Sequence, residues 1–160
     1  MMKIRLIVMD KCRQSFYLQA AAEYQKRLSR YCRLEVTELN PVRLADRPSL
    51  QQVEAALQKE AELIRKVLPE QTVPVVLCVE GKQQTSEQFS RWLCRQRNFG
   101  GGDVSFVIGS SHGLADSVKE AAAQKLSFSQ MTFPHELARV VLLEQIYRAF
   151  KIDEGSPYHK

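Results

Sequence analysis

Seven consecutive residues, Val73 to Val79 (VPVVLCV), carry no charged or amide side chain. A strand with one face in water alternates apolar and polar positions. An unbroken run suits a strand covered on both faces, as in parallel sheets with helices on either side. Lys3 to Met9 (KIRLIVM) and Val104 to Ile108 (VSFVI) also read as buried strands, while Leu34 to Leu39 (LEVTEL) alternates and reads as half-buried. Helical periodicity fills the intervals. Phe16, Ala20, Tyr24 and Leu28 recur on one face of Ser15 to Tyr31. Ser49 to Leu68 is amphipathic, with Ser49 as its cap and Pro69 ending it. A further helix opens at Thr85-Ser86-Glu87 and carries Phe89, Trp92 and Leu93; Gly100-Gly101-Gly102 breaks the chain before the next strand. Another helix is predicted over roughly Ala115 to Gln124, after the turn Gly109 to Gly113. Strand and helix alternate throughout, which predicts an α/β fold with a mainly parallel sheet. No repeat, linker or low-complexity stretch divides the chain, so residues 1–160 read as one domain.

The apolar fraction of 44% and charged fraction of 26% are those of an ordinary globular protein. No apolar run reaches the roughly 20 residues needed to span a membrane, and the apolar stretch before Asp10 is too short for a signal peptide. Cys12, Cys32, Cys78 and Cys94 are scattered with no C-x-x-C pair, which favours reduced thiols and a cytoplasmic location. A formal charge of +5 permits a polyanionic partner without requiring one.

Chemistry concentrates toward the C-terminus. Leu126 to Phe128 leads through Thr132-Phe133-Pro134-His135 into an apolar segment, Leu137 to Ile152. Pro134 suits a first helical position, and Glu136 then lies where the helix dipole favours a carboxylate. Leu137, Val140, Val141, Leu143, Ile146, Tyr147 and Phe150 cover more than one stripe, so this helix should be buried on two sides. One side fits the chain's own sheet; the other asks for a partner, most simply a second copy. Glu144 and Arg148 interrupt the apolar surface at i and i+4, and the chain closes on Pro157-Tyr158-His159-Lys160.

Parallel α/β sheets bind ligands beyond the carboxyl ends of their strands. Glu80-Gly81-Lys82, Gly109 to Gly113 and Ser127 to Phe133 all follow predicted strands and should meet there. Glycine at Gly81, Gly109 and Gly113 allows close backbone approach to a ligand, or positive φ. This is not G-x-G-x-x-G, and no acidic residue stands where a Rossmann fold holds its ribose, so a nicotinamide cofactor is disfavoured. His112, His135 and His159 have no histidine or cysteine partner at ligand spacing, so no metal site is expected. Arg43 and Arg47, in the Asn40 to Ser49 loop, are candidate nucleic-acid contacts.

The stretch TFPHELARVVLLEQIYRAFKI, followed by SPYHK, resembles the C-terminal signature of the RlmH family of SPOUT methyltransferases. The likeness runs through the whole chain and is most specific at Leu77 to Lys82, Val107 to Leu114 and Leu126 onward. It implies a SPOUT-type α/β fold whose C-terminal segment is threaded into a trefoil knot. It also implies a homodimer that binds S-adenosyl-L-methionine and methylates N3 of a pseudouridine in 23S ribosomal RNA, on the ribosome. Carried over motif by motif, Leu77, Gly81 and Gly109 would border the cofactor. Phe128, Ser129, Gln130, Met131, Thr132 and Phe133 would wrap its adenine and methionine portions. His135, Arg148, Tyr158 and His159 would act on the nucleotide, with Glu144 orienting Arg148. Two positions depart from the family pattern: Ser110 stands where a second adjacent glycine is usual, and Asp10 stands where a glycine usually follows the first strand.

The reaction explains these residue types. A uracil-type N3–H must lose its proton, which suits a neutral imidazole or a cation that stabilises the N3 anion. Two other readings stay open at this level: a SPOUT methyltransferase acting on another RNA such as tRNA, and a ribosome-binding dimer without catalysis.

Overall fold

The computed structural model describes residues 1–99 and 102–160. Gly100 and Gly101 of the expected glycine break lie outside the described residues. The elements run β1 (Lys3–Met9), α1 (Ser15–Leu28), β2 (Arg33–Leu39), α2 (Leu50–Val67), β3 (Val73–Gln83), α3 (Ser86–Phe99), β4 (Val104–Ile108), α4 (Asp116–Ala121), β5 (Gln124–Ser127) and α5 (His135–Asp153). The strands form a five-stranded sheet in the order β2-β1-β4-β3-β5, with every pairing parallel.

The order of strands fixes which face each helix covers. The steps β1 to β2 and β3 to β4 run one way across the sheet; β2 to β3 and β4 to β5 run the other way. Crossovers of a single hand must then put α1 and α3 on one face and α2 and α4 on the opposite face. The packing agrees. Ile4, Leu6 and Val8 of β1 join Leu28, Leu93 and the inner side of α5 in one cluster. Ile7 and Met9 join Ala61 and Ile64 of α2 and Val118 of α4 in the other. Alternate residues of the second half of β1 thus face opposite cores, as the pleat requires. Helix α5 lies between α1 and α3 on the first face. Its fully buried Leu142, Leu143, Ile146 and Phe150 each contribute about 1.5–3 kcal/mol of apolar burial.

Caps and breakers behave as expected at α2. The Ser49 hydroxyl accepts from the Gln52 N–H while the Gln52 side chain accepts from the Ser49 N–H, a reciprocal pair at the helix start. Several boundaries differ from the sequence reading. Helix α1 stops at Leu28 rather than Tyr31, and Phe16 at its start is 60% exposed, outside the core. Helix α4 is only Asp116–Ala121, because Gln124 and Lys125 are drawn into β5 beside Val75 and Val76. Strand β3 continues through Glu80-Gly81-Lys82, which therefore does not form a loop.

Only Val75 and Val76 of the β3 run are fully buried; Leu77 and Cys78 are half-buried, and Val79 is 45% exposed. The reason is geometric. Pairing of β3 with β4 ends at Val76↔Val107, so β3 projects past the end of β4 with one edge uncovered. Among the described residues no helix is long and apolar enough to cross a membrane.

Candidate active site

The uncovered edge of β3 forms one wall of a cleft of about 800 Å³ at the carboxyl ends of the strands. Leu77 to Glu80 supply that wall, the turn Gly109 to Leu114 after β4 supplies the floor, and Leu126 to His135 after β5 closes the far side. The three segments that the sequence brings together are therefore neighbours.

The turn is tight. The Gly113 N–H donates to the Ser110 carbonyl at 2.9 Å, and Gly113 has φ +88°, a left-handed backbone that favours glycine. Gly109 needs no positive φ; a Cβ there would come within 2.4 Å of the Gly113 carbonyl oxygen. The space beside its Cα is thus taken up by its own turn. Gly81 shows the same thing in the sheet: a Cβ would sit 2.8 Å from the backbone of Lys125 and Leu126. It lets β5 pass where the β3–β5 register shifts between Leu77 and Lys82. Gly81 is not among the residues that line the cleft, and neither is Gln130.

On the far wall, the Ser127 hydroxyl donates to the Ser129 carbonyl at 2.9 Å and the Met131 N–H donates to Ser129 Oγ at 3.0 Å. Phe128 is half-buried, whereas Met131 is 74% exposed and Phe133 37% exposed at the mouth. Apolar side chains left open around a concave site mark a surface built to be covered. Sequence reasoning brought Ser111 and His112 to the site only as part of their turn, and missed Cys78 and Lys119 as lining residues. Lys119 was legible only as a surface charge; it reaches the rim by pairing with Glu80, whose carboxyl its hydrogen bond holds below the ordinary range.

His135 lies at the mouth, at the start of α5. Its Nε2 stands 3.7 Å from Asp10 Oδ2, and its Nδ1 is buried with no hydrogen-bond partner among the described residues. Asp10 has φ +115°, unusual for any residue with a side chain. Burial pushes the Asp10 carboxyl up, but hydrogen bonds from Arg13 and the Lys11 N–H, with the Arg13 and His135 charges, bring it below its usual value. Arg139, 4% exposed, braces the same corner by donating to the Asp10 carbonyl at 3.2 Å and to Glu38 Oε2 at 2.9 Å. Glu136 accepts from the Gln14 N–H at 3.1 Å and from the Arg13 N–H, fastening the start of α1 to that of α5.

The remaining predicted residues gather elsewhere. Arg148 donates to Glu144 Oε1 through Nε at 2.9 Å and Nη2 at 2.6 Å, so the expected i,i+4 pair is present. The Tyr158 hydroxyl donates to the same oxygen at 3.2 Å, its ring meets Tyr147 edge-on, and the Arg148 guanidinium lies over it at 4.9 Å. Burial first, then Tyr24 and Glu144, push the Tyr158 hydroxyl up to about 12. His159 bridges Arg148 at 3.2 Å and Glu87 at 2.7 Å. A guanidinium only donates, so His159 Nδ1 accepts and Nε2 carries the proton presented to Glu87. The tail is therefore folded onto α5 and α3. His135 and Arg148 stand thirteen residue steps apart on the helix, roughly 20 Å at the α-helical rise. One chain does not bring the two groups together.

A family model described as "Predicted SPOUT methyltransferase" matches residues 2–159. The chain belongs to the RlmH family of SPOUT methyltransferases. Within that family it is 45% identical, over 99% of its own length and 100% of the relative's, to the Ribosomal RNA large subunit methyltransferase H of Streptococcus equi subsp. equi. It is 42% identical over the same shares to the protein of that name from Syntrophomonas wolfei. Among solved structures, the SPOUT chain resembles a probable methylase family protein from Haemophilus influenzae (TM-score 0.55, 13% identity, 98% of this chain and 70% of that one). A probable methyltransferase from Bordetella pertussis gives TM-score 0.55 at 15% identity, over 91% of this chain and 93% of that one. These two likenesses concern the fold alone.

Proposed function

We propose that this SPOUT methyltransferase transfers a methyl group from S-adenosyl-L-methionine to N3 of a pseudouridine in 23S ribosomal RNA, acting as a homodimer on the ribosome and therefore in the cytoplasm. The observation that carries the reading is the cleft at the strand ends with His135 at its mouth, in a chain matching the named ribosomal RNA methyltransferases from end to end.

The lining fits the cofactor. Leu77, Phe128, Met131 and Phe133 offer an apolar slot, and the Gly109 to Gly113 turn and the Ser129 to Thr132 segment offer backbone donors and acceptors around it. When bound, the cofactor supplies an electrophilic methyl group on a sulfonium. The chain must then expose and deprotonate a weakly acidic N3–H beside it. His135, which lines the cleft together with His112, has a buried ring nitrogen without a hydrogen-bond partner among the described residues and starts the helix that carries Arg148, so it suits proton transfer. Arg148 suits an anion or a phosphate, and Tyr158 an unstacked base.

Those last two residues stand far from the cleft of their own chain, which is why the dimer belongs to the reading. Leu137, Val140 and Val141 of α5 remain only half-buried. A second copy seated there would cover them and bring its tail to this cleft. The threaded trefoil knot implied by the family is part of the same proposal. The deciding experiment is calorimetric titration with S-adenosyl-L-methionine and with NAD, beside transfer of a tritiated methyl to ribosomes lacking the modification. Binding of the first ligand alone, with label in 23S RNA, is the expected result; label in tRNA only would overturn the substrate assignment.

A further inference from the structure

Glu60 is a carboxylic side chain only 4% exposed, on the face of α2 that packs against the sheet with Ala56, Ala61 and Ile64. Buried acids are rare unless their oxygens are occupied. Both of these are, by partners distant in sequence. The Ser110 hydroxyl donates to Oε2 at 2.9 Å, and the Val42 N–H donates to Oε1 at 3.1 Å. Ser110 belongs to the tight turn that floors the cleft; Val42 sits at the root of the Asn40 to Ser49 loop, next to exposed Arg43. One side chain thus fastens two segments that leave different strands, β4 and β2, which are not neighbours in the sheet.

We propose that Glu60 is a positioning residue for the cofactor turn, acting through Ser110, and that it holds the arginine-bearing loop in fixed relation to that turn. Ser110, the residue standing where the family usually has glycine, then has a purpose: its hydroxyl gives the turn an anchor that glycine lacks. The Glu60 oxygen is an acceptor held away from water, where a hydrogen bond is stronger. The segment order explains why no sequence motif announces the pair, since fifty positions separate the two residues. The inference rests on the proposal that the turn binds S-adenosyl-L-methionine, and its test keeps the two separable.

The full-length protein is compared with Glu60→Leu, Glu60→Gln, Ser110→Ala and the double variant Glu60→Leu/Ser110→Ala. Each is titrated with S-adenosyl-L-methionine and followed by hydrogen exchange at the Gly113 N–H, which closes the turn. Glu60→Leu fills the same space without either acceptor. It should weaken cofactor affinity by about ten-fold, the scale set by one buried hydrogen bond. It should also raise the cofactor KM more than it lowers kcat, and speed Gly113 exchange. Glu60→Gln can accept from Val42 through its oxygen and donate to Ser110 Oγ through its nitrogen, so it should restore both readouts. The double variant should be no worse than Glu60→Leu, because both changes break one contact. Wild-type affinity and exchange in folded Ser110→Ala overturn the proposal, and that variant decides the matter if Glu60→Leu fails to fold. If the wild-type protein itself takes up no S-adenosyl-L-methionine, the cofactor reading falls. The exchange comparison still decides whether Glu60 holds the turn.

Discussion

Ser110 and Asp10, the two residues that the sequence reading sets apart from the family signature, have opposite consequences. Ser110 lies outside the positive-φ region, so a side chain costs its backbone nothing, and the hydroxyl is bonded. Asp10 occupies φ +115°, where a Cβ is strained, and its carboxylate offsets part of that strain by accepting from Lys11 and Arg13. Removing the carboxylate while keeping the Cβ should therefore be the worse change. Asp10→Gly should be more stable than Asp10→Ala by about 1–2 kcal/mol, the scale of left-handed strain in residues with side chains; urea unfolding of the two variants measures the difference. Gly109 makes a different demand. Because its Cβ direction is blocked by the Gly113 carbonyl, Gly109→Ala should already open the turn and abolish cofactor binding, where a merely roomy pocket would tolerate alanine. Near-normal calorimetric affinity in Gly109→Ala would contradict this account.

At the scale of the element, α5 serves two sites at once. Its first turn presents His135 to the cleft and its last three turns carry Glu144 and Arg148, under the folded tail. Deleting residues 157–160 removes the Tyr158–Glu144 and His159–Glu87 contacts without touching the cleft lining. Methylation of ribosomal RNA should then be lost while S-adenosyl-L-methionine affinity stays within a few-fold of wild type, as should also hold for Arg148→Ala. Normal methylation by the truncated protein would make the tail dispensable. The docking of the tail has a pH limit. The hydrogen bond from His159 holds the Glu87 carboxyl at about 2, well below its ordinary value. A lowered carboxyl stabilises the folded arrangement above the ordinary carboxylate range and loses that contribution as pH falls toward the folded value. The tail should stay docked near neutrality and detach in strong acid, which the NMR shifts of the His159 ring would follow.

For the whole molecule, the separation of His135 from the tail cluster makes a quantitative forecast. Copies carrying His135→Ala and copies lacking residues 157–160 should each be inactive alone. Mixed under conditions that allow exchange, half the dimers would be hybrids, each with one cleft and one tail intact and facing each other. Activity should return to about one quarter of wild type, as two-fold symmetry with shared sites requires. No recovery in a mixture shown by sedimentation to contain hybrids would place each tail's action in its own chain or nowhere.

The sequence by itself determined the class of fold and the neighbourhood of the site. Apolar-rich stretches at Lys3 to Met9 and Val104 to Ile108 read as buried strands between helices, and strands followed by glycine turns had to end at one edge. Those are local properties, written in periodicity. Tertiary structure decided what periodicity does not encode. The apolar residues Leu77 to Val79 line a cleft rather than a core because β4 stops short of them. At Gly81 and Gly109 other backbone passes so close that a Cβ would not fit. Glu60 reads in the sequence as one more charge on an amphipathic helix, and only the packing of α2 against the sheet buries it beside Ser110. A side chain's role depends on which distant atoms reach it, and the chain's path through three dimensions sets that.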